Sequence, residues 1–373
     1  MKNIVSIIVV VLILIGGYFA LNKKQESKNI PTIKIGVIAP LTGARADAGE
    51  YTKNALELAK VEINKKFQKY TFDFILEDSQ YEPLVAVSAL NKLINLDGVK
   101  YVIGPYGSSE VMAAGPIAEQ SKVMLLTPGA QTDEVSFLGD YIFRIIHHSS
   151  QEVPVFAPFV AQKMKGATLH FLTLNTAITD PYLKVFLPEI ESRGKKTGLI
   201  ERFDAKSADF RTELIKFKNA NASDIFLIAT PKHVAIIMQQ AKDLGLNAQF
   251  YNIGVEGPEL LSAKNNVTEG LFYPYSYDNS SSEPSIEKFY TDYTARFGSS
   301  PDTVAANTYD AAILLADCIN EVGDDSLKVK ECLYSVKDFE GAGGKFSIDS
   351  KGDAIKNIFV KTIRNGQFVK LEN

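Results

Sequence analysis

The residues best placed to do chemistry in this chain are two serines and one glutamate. Ser108 and Ser109 follow the run YVIGPYG and open a helical pattern. Their hydroxyls and backbone N–H groups stand where a helix start concentrates positive potential, which suits an anion. An ordinary helix cap looks the same in sequence. Glu256 follows a strand-length apolar run and lies between Gly254 and Gly257. A lone carboxylate without a second acid or a base is poor equipment for proton transfer. It is better suited to holding a cation such as an ammonium group, although a solvated loop glutamate carries the same signature.

Patterns that would announce an enzyme are missing from the sequence. Residues 104–107 hold two glycines but neither a Walker lysine nor a G-x-G-x-x-G spacing. No G-x-S-x-G elbow and no H-E-x-x-H occurs. Of the four histidines, His147 and His148 are adjacent and would point to opposite sides of a strand, and His170 lies within an apolar run; the fourth is His233. No cofactor, no metal and no catalytic residue is expected. Cys318 and Cys332 leave two readings, one disulfide or two separate buried thiols. An exported chain meets oxidising conditions, which favours the disulfide, closing a tight link between two helices.

These residues need elements to position them. Apolar runs of strand length alternate with helical periodicity almost throughout. Strands are expected at 33–39, 72–77, 100–103, 124–127, 167–174, 197–202, 224–229 and 249–253. Helices are expected at 51–65, 83–96, 109–121, 153–164, 182–193, 210–219 and 231–244. The strands are continuous in Ile, Val, Leu and Phe, as parallel strands covered on both faces must be. The fold class is therefore α/β, with right-handed crossovers. In open sheets of this kind ligands sit beyond the carboxyl ends of the strands. The loops there, at 40–49, 79–83, 104–109, 127–132, 175–181, 230–233 and 254–258, are dense in Gly, Ser, Thr and Pro.

Residues 4–21 are apolar apart from Ser6 and two glycines, and lysines flank the run. It is at the short end of what spans a membrane. The position two before a cut after Ala20 is the bulky Tyr18, so an uncleaved N-terminal anchor is favoured over a cleaved signal. Residues 1–30 then form anchor and tether, and the remaining chain works on the outer side of a membrane. That body exceeds the size at which one core stops growing, so two lobes are expected. The first thirty residues hold four lysines and one glutamate, leaving 36 basic and 43 acidic side chains in the body. An acidic balance of this kind excludes a nucleic-acid partner, which requires a basic face.

At this point the loops fall into a known pattern. The body resembles the type I periplasmic binding proteins of the Leu/Ile/Val-binding family, the solute receptors of branched-chain amino-acid ABC transporters. The resemblance is carried in order by IKIGVIAPLTG at 33–43, YVIGPYGSS at 101–109, LTPGA at 126–130, VEG at 255–257, TYDA at 308–311 and GKFSIDSKGD at 344–353. It implies two Rossmann-like lobes joined by three hinge crossings: 32–146 with 276–356, and 147–275 with 357–373. It implies a small solute, an amino acid or an analogue, held between the lobes by hinge closure, and an ABC permease as membrane partner. Residue by residue it carries over to Ser108, Gly129 and Glu256, and the full candidate ligand set is Tyr106, Ser108, Ser109, Gly129, Gln131, Thr132, Thr179 and Glu256. In that set Ser108 and the N–H groups of 129–131 take the carboxylate, the carbonyl of Gly129 helps hold the ammonium, and Glu256 pairs it. The chain departs from the family where aromatics are expected, at Ala48, Thr179 and near Thr230. Two other readings of the same chain are a ligand sensor for a membrane signalling protein and an exported α/β hydrolase or transferase. The last needs a base or nucleophile in the cleft, and the sequence offers none.

Overall fold

The short Ile- and Val-rich runs become strands because only a sheet covered on both faces can bury them completely. The computed structural model describes residues 30–254 and 256–372. The apolar run at 4–21, and with it the expected anchor, lies outside the described residues. Among the described residues no helix is long and apolar enough to cross a membrane.

Lobe one is built on β1 (Thr32–Ala39), β2 (Thr71–Asp78), β3 (Tyr101–Ile103), β4 (Met124–Thr127) and β5 (Ile142–Arg144), all parallel in the order β2-β1-β3-β4-β5. Its crossovers are α1 (Ala46–Lys66), α2 (Pro83–Lys92) and α3 (Ser108–Ser121). Helix α1 starts five residues earlier than its periodicity suggests, because Ala48 and Thr52 extend the buried stripe that continues through Ala55, Leu56, Ala59 and Ile63.

Lobe two follows with α4 (Ser149–Lys163), β6 (Thr168–Leu174), α5 (Thr179–Ser192), β7 (Lys196–Phe203), α6 (Arg211–Asn219), β8 (Asp224–Ile228), α7 (Pro231–Asp243), β9 (Gln249–Asn252), α8 (Pro258–Leu261) and β10 (Phe272–Tyr275). The chain then forms α9 (Pro284–Phe297), α10 (Thr303–Val322) and α11 (Ser326–Ser335). A small antiparallel sheet, β11 (Phe339–Gly341), β12 (Gly344–Ile348) and β13 (Ala354–Lys356), precedes β14 (Phe359–Arg364) and β15 (Gln367–Lys370). The second large sheet runs β15-β14-β10-β9-β8-β6-β7. It is parallel from β10 to β7, but β14 pairs antiparallel with both β10 and β15. The chain passes between the two sheets after β5, after β10 and before β14. Strand β7 closes one rim, with a register irregularity against β6 between Leu169 and Phe171, and shows alternating charges at Lys196, Glu201 and Arg202.

Helix α10 is the central pillar of lobe one. Its cap is Asp302, whose Oδ1 accepts from the Ala305 N–H at 2.9 Å, and nearly every residue from Thr303 to Ile319 is buried against α1 and the sheet. Cys318 on α10 and Cys332 on α11 are joined in a disulfide, so the two thiols are not separate. It fastens α11 to the pillar across the turn at Gly323–Asp325.

Candidate functional site

Two loops at the carboxyl edge of the first sheet build one wall of a cleft. After β3 the chain turns at Gly104, which has φ +98° and leaves no room for a side chain: a Cβ there would lie 2.1 Å from the carbonyl of Ile38. Tyr106 follows, then Gly107 caps α3, its N–H donating to Glu110 Oε2 at 2.7 Å. Ser108 therefore occupies the first helical position, where the helix dipole favours negative charge. Its Oγ accepts from the Thr132 N–H at 3.3 Å, and its own proton has no acceptor among the described residues.

The loop after β4 is tied down from both ends. The Thr127 hydroxyl donates to the Pro105 carbonyl at 2.7 Å and accepts from the N–H groups of Gly129 and Ala130 at 3.4 and 3.2 Å. Those two N–H groups are thereby engaged inside the protein, so of the three amides expected to face a solute only that of Gln131 is not taken up by Thr127. Behind the loop stands Arg144, fully buried. Its guanidinium donates to the carbonyls of Thr132 at 2.6 Å and Ala130 at 3.2 Å, and pairs with Asp353 at 2.8 Å. Gly129 packs directly on the Tyr106 ring, where a Cβ would come within 2.2 Å of ring carbon.

The cavity itself lies where this wall faces lobe two. Tyr106, Ser108, Gly129 and Gln131 line it, together with Arg45 and Tyr81, which sequence reasoning missed. Arg45 is 4 % exposed. Asp47 accepts from its Nε and one terminal nitrogen at 3.0 Å each, and the other terminal nitrogen donates to the Tyr106 hydroxyl at 2.8 Å. The guanidinium also stands 4.8 Å from the centre of the Tyr106 ring. Burial pushes the phenols of Tyr81 and Tyr106 up, so both keep their protons and can donate. The only hint in sequence was that Arg45 is the single cation in the loop at 40–49.

Lobe two meets this polar wall with an apolar one: Leu174, Ile178, Ile228, Ala229 and Ile253, at the carboxyl ends of β6, β8 and β9, with Thr176 and Thr230 among them. The Thr230 hydroxyl is held by His233 Nδ1 at 2.8 Å, while His233 Nε2 donates to the Ala205 carbonyl at 3.1 Å. Burial holds the His233 imidazole below its ordinary range, so it stays neutral. The cavity is narrow, about 60 Å³. Tyr81, Gly107, Leu174 and Thr176 also border a mouth of about 520 Å³, a size in the range of small-molecule sites.

The other expected site residues lie off the narrow cavity, although Ser109 borders its mouth. Ser109 Oγ accepts from the Ala177 N–H at 3.3 Å and touches Thr176 Oγ1 at 3.5 Å, so it joins the lobes to one another. The hydroxyl of Thr179 is buried and donates to the Leu174 carbonyl at 2.5 Å, stapling the start of α5 to the end of β6. Thr132 is buried behind Ser108 and Arg144 rather than on the cavity. Glu256 departs furthest from expectation. Its Oε1 accepts from Lys361 Nζ at 2.7 Å and from the Tyr273 hydroxyl at 2.6 Å. Tyr273 and Lys361 stand opposite one another in the antiparallel β10–β14 pair, so both reach the same carboxylate. Glu256 borders a separate groove with Tyr51, Asp302 and Phe368.

Comparison with known proteins agrees with this architecture. Residues 32–367 match a family model described as periplasmic binding protein. A leucine-, isoleucine-, valine-, threonine- and alanine-binding protein of Pseudomonas aeruginosa is 28 % identical over 333 residues, covering 87 % of this chain and 88 % of the relative. The crystal structure of a leucine-binding protein, LivK, of Thermotoga maritima superposes with a TM-score of 0.84 at 25 % identity, covering 91 % of this chain and 98 % of that one. The branched-chain amino-acid transporter substrate-binding protein LivJ of Streptococcus pneumoniae, in complex with isoleucine, gives 0.83 at 24 % identity, with 91 % and 100 % covered.

Proposed function

This chain belongs to the periplasmic binding protein family, and from that premise we propose that it is the extracytoplasmic solute receptor of an ABC importer. It captures a small solute between its lobes and presents the closed form to a membrane permease. The observation that carries the reading is the cleft whose two walls come from different sheets: Arg45, Tyr106 and Ser108 on one side, Leu174, Ile228 and Ile253 on the other. A solute touching both walls binds the closed form better than the open one, which is the only way a ligand can drive closure. Moving such an equilibrium from 1:99 to 99:1 takes about 5.5 kcal/mol of differential binding. Charge-assisted hydrogen bonds from Arg45 and Ser108, at roughly 1.5–3 kcal/mol each, with burial of an apolar body, supply that scale.

The lobes are read as 32–146 with 276–356 and 147–275 with 357–373, hinged at the three crossings. The polar wall calls for an anionic group on the solute and the facing wall for an apolar body. The amino acids named for the Pseudomonas relative make a carboxylate on a small aliphatic body the first candidate. The chain is read as non-catalytic, and as held at the membrane by residues 4–21. Mass spectrometry of small molecules released from the denatured purified protein tests the function. A single co-purified solute, rebinding one per chain and reducing the radius of gyration in X-ray scattering, is the expected result. A chain that neither carries nor rebinds any small solute sinks it.

A further inference from the structure

Resting on the receptor reading above, we propose that the solute of this cleft is a carboxylate with an apolar body and no ammonium group. The cavity is chemically one-sided. Every charged or strongly donating group on it favours an anion: the Arg45 guanidinium, the Ser108 hydroxyl at the start of α3, and the phenols of Tyr81 and Tyr106. The Tyr106 oxygen already accepts from Arg45, so its proton is the part left to offer. Among the described residues lining the cavity none is acidic. The opposite wall is aliphatic and offers an ammonium no counter-charge.

None of the acids nearby lines the cavity, and most are committed to other partners. Both carboxylate oxygens of Asp47 accept from Arg45, which fixes the guanidinium at the cleft and uses up the acid that does so. Glu152 Oε1 accepts from Gln131 and faces His147. Glu110 borders only the mouth; its Oε2 takes the Gly107 N–H, its Oε1 is buried without a partner, and burial pushes the group up to about 7. Glu256, the acid that sequence pointed to for a cation, has an ammonium supplied by the chain itself: Lys361, 1 % exposed, with Tyr273 on the same oxygen. An ammonium brought into this cleft would be stripped of water, unpaired and close to a guanidinium, each an unfavourable term. A carboxylate in the same place gains hydrogen bonds to charged and neutral donors and leaves nothing unpaired.

The test uses the full chain purified in detergent, stripped of co-purified solute, and isothermal calorimetry against matched triplets. One triplet is leucine, 4-methylpentanoate and 3-methylbutylamine; the other is phenylalanine, 3-phenylpropanoate and 2-phenylethylamine. The expected result is that a carboxylate binds at least tenfold tighter than its own amino acid, that the amine does not bind, and that Arg45→Gln weakens the carboxylate more than tenfold while Arg45→Lys retains part of it. An amino acid binding as tightly as its des-amino partner overturns the proposal and leaves the receptor reading intact. Should no triplet member bind, the compound released on denaturation decides: a carboxylate without an amine supports the proposal, and an amine-bearing solute overturns it. No bound and no released solute overturns both.

Discussion

The side-chain amide of Gln131, in the lobe-one loop after β4, donates to Glu152 Oε1 on α4 of lobe two at 2.8 Å. His147, in the crossing between them, lies 2.6 Å from the same oxygen through Nε2 and 2.9 Å from Ser276 Oγ through Nδ1. Gln131 Nε2 also lies 3.0 Å from His147 Nε2, so the three side chains form one buried cluster. One cavity-lining residue is thus wired to two of the three crossings. Removing the shared acceptor by Glu152→Ala leaves two buried donors unpaired, at a cost of about 1–3 kcal/mol each. The expected outcome is a less stable and more expanded solute-free protein. X-ray scattering that shows an unchanged radius of gyration would count against this brace.

Arg144 supports the same loop from behind. Breaking a buried ion pair from one side typically costs about 3–5 kcal/mol, because the remaining charge is left uncompensated. Arg144→Met strands Asp353 and frees the carbonyls of Ala130 and Thr132, so it should lower stability by that amount in urea denaturation and weaken solute binding as well. Lost stability with unchanged affinity would mean that the loop holds its shape without Arg144.

The disulfide should separate stability from binding. It closes a short loop between α10 and α11, far along the pillar from the cleft, and loop entropy gives it about 3 kcal/mol. A Cys318→Ser, Cys332→Ser double variant is expected to melt several degrees lower and to bind solute with the parent affinity. An affinity loss of tenfold or more would show that α10 transmits strain to the cleft.

Buried acids set a pH dependence of definite sign. Burial pushes Asp302 and Glu110 up to about 7 and Asp310 up to about 6. The folded chain then holds protons that the unfolded chain has already released, so stability declines as pH rises from about 5 through 7. Thermal melts should show this decline. Asp302→Asn keeps an acceptor for the Ala305 N–H while removing the charge, and should flatten the curve. A variant with the parent slope would remove Asp302 as its source.

Much of the architecture was legible because burial on both faces leaves a strong mark. The runs at β1, β6 and β8 are mostly apolar, and their carboxyl ends carry the loops that line the cleft. Ser108 and Gly129 stood out for local reasons, a helix start and a tight loop. Arg45 did not, since one cation in a polar loop has no periodicity to betray its burial. The partner of Glu256 was hidden for another reason. Lys361 reaches it only through the antiparallel pairing of β10 with β14, and strand pairing across a chain reversal is written in no local pattern. The hydroxyl of Thr179 donates to the carbonyl of Leu174, five residues back, a local staple that no periodicity announces.

Strand β7 has a bearing on life at high concentration. A sheet rim that is straight and apolar invites a second chain to extend its ladder. Here Leu199 and Ile200 are exposed between Lys196 and Arg202, and the register slips beside β6, so an approaching strand meets an interrupted template with a charge near each end. The slip and the two cations are what this margin sets against a second copy zipping onto its aliphatic centre.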